Sequence, residues 1–181
     1  SWARDFLSSD LAAYGALRQQ MTGQAGLAAI VRSDAAPLEQ IGELRADQYG
    51  IRTRIAVDGV PIKFEIVHEA RIVFSMPGQR DAVRGVATLA VLDLAASKLL
   101  ANSDRWPDDG VFSRDLIDLA MMKPSLRLLP EAMAKPEGAY GGAGPRDLER
   151  AIQRMQDRTG WLQRCLEAMA MTLPPAQVWQ R

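Results

Sequence analysis

IRTRIAVDGVPIKFEIV, residues 51–67, holds the clearest local signal in the first half of the chain. Ile51, Thr53, Ile55 and Val57 alternate with Arg52, Arg54 and Ala56, and Ile62, Phe64 and Ile66 alternate with Lys63 and Glu65. Two period-two runs flanking Asp58-Gly59 predict an antiparallel hairpin, because that dipeptide suits the left-handed turn that matches strand twist. Strict alternation puts Ile62, Phe64 and Ile66 on the core side, with Lys63 and Glu65 on the other face. Arg71–Met76, before Pro77-Gly78, predicts a third strand of a small antiparallel sheet, and Leu27–Val31 reads as a short buried strand.

Upstream, residues 9–21 predict a helix capped by Ser9 or Asp10, while residues 32–50 are turn-rich and carry no clear period. After Gly85 the period changes from two to about 3.6. Helices are expected over 89–103, 113–122 (with Ser113 as N-cap), 125–134, 145–157 and 159–171. Asp104–Gly110 reads as a polar loop, Pro136–Gly144 as a flexible connector, and Pro174-Pro175 as the end of the last helix. The expected fold class is α+β, a sheet core over residues 1–86 followed by a helical subdomain over 87–181.

With 181 residues, 48% of them hydrophobic and 24% charged, the chain can build a real core, which excludes a wholly disordered protein. Lys and Arg number 22 against 22 Asp and Glu, so no global field draws it to a polyanion or a membrane. Polyanion binding must come from a local patch. One cysteine, Cys165, and one histidine, His68, exclude an intrachain disulfide and Cys- or His-rich metal sites. No apolar run approaches the ~18 residues of a membrane span, and no signal peptide opens the chain. A cytoplasmic setting is the expectation. The chain starts at Ser1 without an initiator methionine, which leaves room for residues upstream.

Several residues can carry chemistry. Glu65 can help a divalent cation bind against a phosphate, or it can pair with Lys63 on a solvated strand face. Asp5, followed by Phe6-Leu7, suits a strand end bearing a metal ligand and equally a frayed terminus. Lys98 lies in an apolar stretch, with Arg105 seven positions on at nearly the same helical angle. Such a lysine either snorkels outward or meets an anion. Asp115 and Asp118 share a helix face, and Arg114 is placed to pair with Asp118 at i,i+4. Two acids also suit a helix N-terminus. Arg146, Arg150, Arg154 and Arg158 form a stripe that reads as a solvated face or as a track for RNA phosphates. The Gly-rich segment 138–144 lacks the Gly-Lys-Ser/Thr ending of a phosphate loop, and no Gly-x-Ser-x-Gly elbow occurs. His68 reads as structural or surface rather than as a base.

Taken in order, the Asp-Phe-Leu strand end, the acidic hairpin strand, and the run LDLAASKLLANSDRWPDDGVFSRDLIDL from Leu92 to Leu119 resemble the AbiEii/AbiGii (MenT-like) nucleotidyltransferase toxins. The resemblance covers roughly residues 1–122 and rests chiefly on Lys98 and Arg114-Asp115-x-x-Asp118. It implies a polymerase-β-like core of small antiparallel or mixed sheet with helices, followed by a C-terminal helical bundle. It further implies transfer of a nucleoside monophosphate from an NTP to an acceptor, which in relatives can be the 3′ end of tRNA. On this resemblance Asp5 and Glu65 would hold Mg²⁺ or Mn²⁺, Lys98 the triphosphate, and Arg105, Arg114, Asp115 and Asp118 the nucleotide. Asp5, Glu65, Lys98 and Asp115 would be the catalytic set. An antitoxin protein is the implied partner. Two features of the family pattern are unmatched here: an upstream Gly-Ser motif, and an acid at the position of Ala3. The competing expectations are a degenerate nucleotide- or protein-binding module of the same fold, and a plain structural domain.

Overall fold

A computed structural model describes residues 2–35, 37–83, 85–136 and 141–181, with backbone only for residues 2–4. The chain is mixed α+β and divides into two compact units, Ser1–Val73 and Phe74–Arg181.

The first unit is built on the expected hairpin. Strand β4 (Gly50–Val57) pairs antiparallel with β5 (Val60–His68), and the turn residues Asp58 and Gly59 both have positive φ, 51° and 75°. This is the backbone an Asp-Gly pair accepts at low cost. β1 (Trp2–Ser8) runs parallel to β5, while the short β2 (Glu39–Gln40) and β3 (Arg45–Ala46) pair antiparallel with β4. The sheet is therefore mixed rather than purely antiparallel. Residues 71–76 form no strand: the free edge of β5 is taken by β1, out to a bond from the Glu69 N–H to the Ser8 carbonyl at 2.8 Å.

Ile51, Ile55, Phe64 and Ile66 line the inner face and pack with Tyr14, Met21 and Leu27. Each such large apolar side chain, fully buried, contributes about 1.5–3 kcal/mol. Tyr14 and Met21 come from α1 (Leu11–Thr22), whose N-cap Asp10 accepts a hydrogen bond from the Ala13 N–H at 2.6 Å. Leu27 lies in a 3₁₀ turn, Gly26–Ile30, not in the strand expected at Leu27–Val31. No strand of the sheet pairs with that segment, and Gly26 opens it at φ 52°.

The second unit begins with a two-strand ladder, β6 (Ala82–Val83) and β7 (Val86–Ala87). Helices follow: α2 (Val91–Arg105), α3 (Arg114–Met122), α4 (Leu128–Ala134), α5 (Ala143–Asp157), α6 (Trp161–Ala168) and α7 (Pro175–Trp179). The connector expected at 136–144 falls partly on residues 137–140, which lie outside the described residues. The chain does not trail off after Pro174-Pro175. Pro175 starts α7, as proline does readily in a first helical turn, and Val178 is buried with Ile117, Trp161 and Leu166.

α2 is anchored at its start by a buried carboxylate. Asp93, with no exposed surface, accepts from the Ser75 N–H at 2.7 Å and pairs with Lys135 just after α4. A charge so buried is tolerated only because both partners meet it. No helix among the described residues is long and apolar enough to cross a membrane.

Candidate functional site

In the first unit the register sets Asp5 directly beside Glu65, and Glu65 opposite Arg52. Paired residues share a sheet face, so Arg52, Glu65 and Asp5 form a row on the side away from the core. The bond from Arg52 Nε reaches Glu65 Oε1 at 2.5 Å, and Lys63 Nζ reaches Oε2 at 2.5 Å. Burial works to raise the Glu65 pKa, but the hydrogen bonds from Lys63 and Arg52 outweigh it and hold the carboxyl below its usual 4.5. Asp5 is exposed and has no hydrogen bond or ion pair among the described residues.

Two neighbouring carboxylates suit a magnesium-type ion, which takes one or two protein carboxylates and fills its shell with water and phosphate oxygens. They fit to that extent: Asp5 is available, and Glu65 joins if Lys63 releases it. No cluster of three acidic, His or Cys groups occurs among the described residues. The pairing of Arg52 with Glu65 was readable beforehand, since a two-residue turn at 58–59 fixes which residues oppose each other.

In the second unit α2 and α3 lie side by side and bring the other candidates together. Asp115 is buried at 3% exposure, and Arg105 grips it through Nε at 2.6 Å and Nη2 at 2.9 Å. Lys98 Nζ lies 2.5 Å from Asp118 and 3.9 Å from Asp115. Lys98 and Arg105 thus share one helical face, as their separation of seven implied. The hydrogen bond to Asp115, against the pull of burial, raises the Arg105 pKa further. Asn102, between them on the same face, is buried, and its Nδ2 has no hydrogen-bond partner among the described residues. No spacing rule singles it out, because its meaning lies in that missing partner.

Arg114 differs from expectation. It is exposed and makes no ion pair among the described residues, because Asp118 turns to Lys98 instead. Ser113 stands at the N-cap position with φ 49°, following Phe112 at φ 51°, and makes no cap bond; its Oγ accepts from Trp161 Nε1 at 3.0 Å. Two consecutive non-glycine residues in the left-handed region cost about 1 kcal/mol or more each.

A clamp stands beside this turn. Asp109 binds Arg158 at 2.6 and 3.0 Å and Arg154 at 2.7 Å, and the Arg158 guanidinium stacks on Trp161 at 3.9 Å. Half of the arginine stripe is thereby engaged within the fold, and Arg150 lies 3.8 Å from Asp147, which favours the solvated-face reading. The hydrogen bonds from Arg158 and Arg154 bring the Asp109 pKa from 3.8 down to about 2. A depressed carboxyl stabilises the fold above its unfolded pKa and loses that effect as pH falls through its folded value. The melting-temperature gap between the parent and Asp109→Asn is therefore expected to be constant above pH 5 and to close between pH 4 and 2.

His68 stacks on Tyr14 with ring centroids 4.8 Å apart and lies 3.3 Å from the Gln48 carbonyl, a structural placement. Cys165 is buried, and burial pushes its thiol pKa up, which argues against a nucleophile.

The first unit thus carries two adjacent carboxylates on a mixed sheet, and the second carries Lys98, Arg105 and the Arg-Asp-x-x-Asp run on a helix pair, the features on which the resemblance to nucleotidyltransferase toxins rests. Comparison with known families agrees: the profile described as "Nucleotidyl transferase AbiEii toxin, Type IV TA system" matches residues 5–179. The chain belongs to this family, and the match extends well past residue 122, through the C-terminal helices. Neither the curated proteins nor the solved structures yielded a match.

Proposed function

We propose that this protein is a divalent-metal-dependent nucleotidyltransferase with a polymerase-β-like core, the toxin of a toxin–antitoxin pair with an antitoxin protein as partner. Its reaction moves a nucleoside monophosphate from an NTP to an RNA acceptor, such as the 3′ end of tRNA. The observation that carries this reading, beside the family match over residues 5–179, is the meeting of Lys98 with Asp118 and Asp115 across α2 and α3. A lysine ammonium balanced by a half-exposed carboxylate can exchange that partner for a phosphate.

The acceptor hydroxyl oxygen bonds to the α-phosphorus, the bond from that phosphorus to the bridging oxygen breaks, pyrophosphate leaves, and the hydroxyl proton passes to solvent. Lys98 leaves Asp118 to neutralise the leaving phosphates, and Arg105, held by Asp115, adds a fixed second cation. Asp115 is too buried to meet a substrate and serves as a positioning residue. Exposed Arg114 adds a further cation at the start of α3. Asp5 and Glu65 are the carboxylates that would hold Mg²⁺ or Mn²⁺, which when bound lowers the charge on the phosphates.

Incubation with each α-³²P-NTP, Mg²⁺ or Mn²⁺ and total RNA is expected to label RNA, with Asp5→Asn losing the metal-dependent signal. Absence of labelling with every NTP would overturn the reading. A second reading, a degenerate nucleotide-binding module, is favoured by one feature: both Glu65 oxygens are already engaged by cations. There, NTP raises the melting temperature but no label is transferred.

A further inference from the structure

On the outer face of the first unit's sheet, the register sets like charges opposite each other twice. Arg45 on β3 opposes Arg52 on β4, and Arg54 on β4 opposes Lys63 on β5. Directly opposed residues stand about 5 Å apart, where like charges destabilise the sheet. Carboxylates offset part of this: Glu65 takes Arg52 and Lys63, Asp47 approaches Arg52 at 3.4 Å, and Glu43 binds Arg45 at 3.0 Å. Arg54 is exposed and has no ion pair or side-chain hydrogen bond among the described residues.

The four cations line an open groove of about 620 Å³ walled by Gly42 and Pro61. Gly42 is held against β4 by the Thr53 hydroxyl, which donates to its carbonyl at 3.0 Å. An added Cβ at Gly42 would stand 3.2 Å from the Arg54 Cβ, so a side chain there would crowd the wall beside Arg54. Along β4, Arg52 and Arg54 repeat at about 7 Å, and across the strands the cations repeat at about 5 Å. Such a grid suits consecutive charges on one strand better than a single anion. Three of the four are guanidiniums, whose planar fork matches phosphate oxygens two at a time.

We propose that this face binds the phosphodiester backbone of a single-stranded RNA, the acceptor in the reaction above, on which reading the assignment rests. A chain of zero net charge has no global field to bring a polyanion in, so a local grid must supply the contact.

The test uses a fluorescein-labelled single-stranded RNA 12-mer and measures anisotropy across a salt series, with neither NTP nor metal added. The parent is expected to bind, and Arg45→Ala/Arg54→Ala to lose about tenfold in affinity, its salt slope flattening by about 1.4, or about 0.7 per phosphate contact. Arg54→Gln alone is expected to show about half that slope change while melting no lower than the parent, since it relieves a like-charge pair. Unchanged affinity and slope in the double variant would overturn the proposal, as would absence of RNA binding by the parent. Displacement of the RNA by inorganic triphosphate or by polyglutamate at equal charge would also overturn it, assigning the groove to a free nucleotide or an acidic protein. Because no turnover is read, failure of this proposal and failure of the transferase reading are separable.

Discussion

Lys98→Ala is expected to lower the rate of nucleotidyl transfer by about a hundredfold or more, the scale seen when one preorganised charge is removed from a charged transition state. The lysine sits on a largely apolar helix, and its Nζ meets Asp118 at 2.5 Å and Asp115 at 3.9 Å. Losing it leaves Asp118 part-exposed and hydrated, while Asp115 keeps both bonds from Arg105. The melting temperature should therefore move only slightly. Single-turnover labelling beside a thermal melt checks both halves of the expectation. Lys98→Arg, which keeps the charge but changes its shape, should recover part of the rate. A Lys98→Ala rate within threefold of the parent would remove Lys98 from the chemistry.

Arg105→Ala should do the opposite, damaging the fold before it damages anything else. Asp115 is nearly enclosed, and removing its bidentate partner leaves a buried charge with only Lys98 near it. The expected cost is about 3 kcal/mol, which for a chain of this size is a fall of roughly 6–12 °C in melting temperature. Arg105→Met combined with Asp115→Leu replaces the pair by apolar volume and should restore most of that stability. If the double variant melts as low as Arg105→Ala, the pair is not acting as a charge-compensated unit. Thermal melts of the three proteins decide it, and transfer by the double variant should remain impaired because Arg105 is gone.

These two lysine and arginine positions also show how far a sequence reaches. Their separation of seven on α2 predicted a shared face, and the face exists. Helix periodicity is local, so a single stretch carries it. The same holds for the hairpin, where Asp58-Gly59 sets both the turn and the opposition of Arg52 to Glu65. It fails for Arg71–Met76, whose apolar run looks like a strand but finds the neighbouring edge of β5 already occupied by β1. It fails for Leu27–Val31, where an apolar run of five satisfies a 3₁₀ turn as well as a strand.

Within the candidate site the residue types were legible and the partnerships were not. Asp115 and Asp118 were visible as a helical acid pair, yet which cation each takes depends on the packing of α2 against α3. Ser113 has the chemistry of an N-cap, but Trp161 of α6 claims its hydroxyl. Asn102 gave no signal at all, because an unpaired donor exists only once the surroundings are in place.

Sequence alone, then, determined the hairpin with its register, the helices of the second half and the family pattern around Lys98 and Arg114–Asp118, since these rest on short-range periodicity and turn chemistry. Tertiary structure alone decided the parallel seat of β1 beside β5 and the burial of Asp93 and Asp115. Each of these joins residues far apart in the chain, and what holds them is the exclusion of water, which no local pattern encodes.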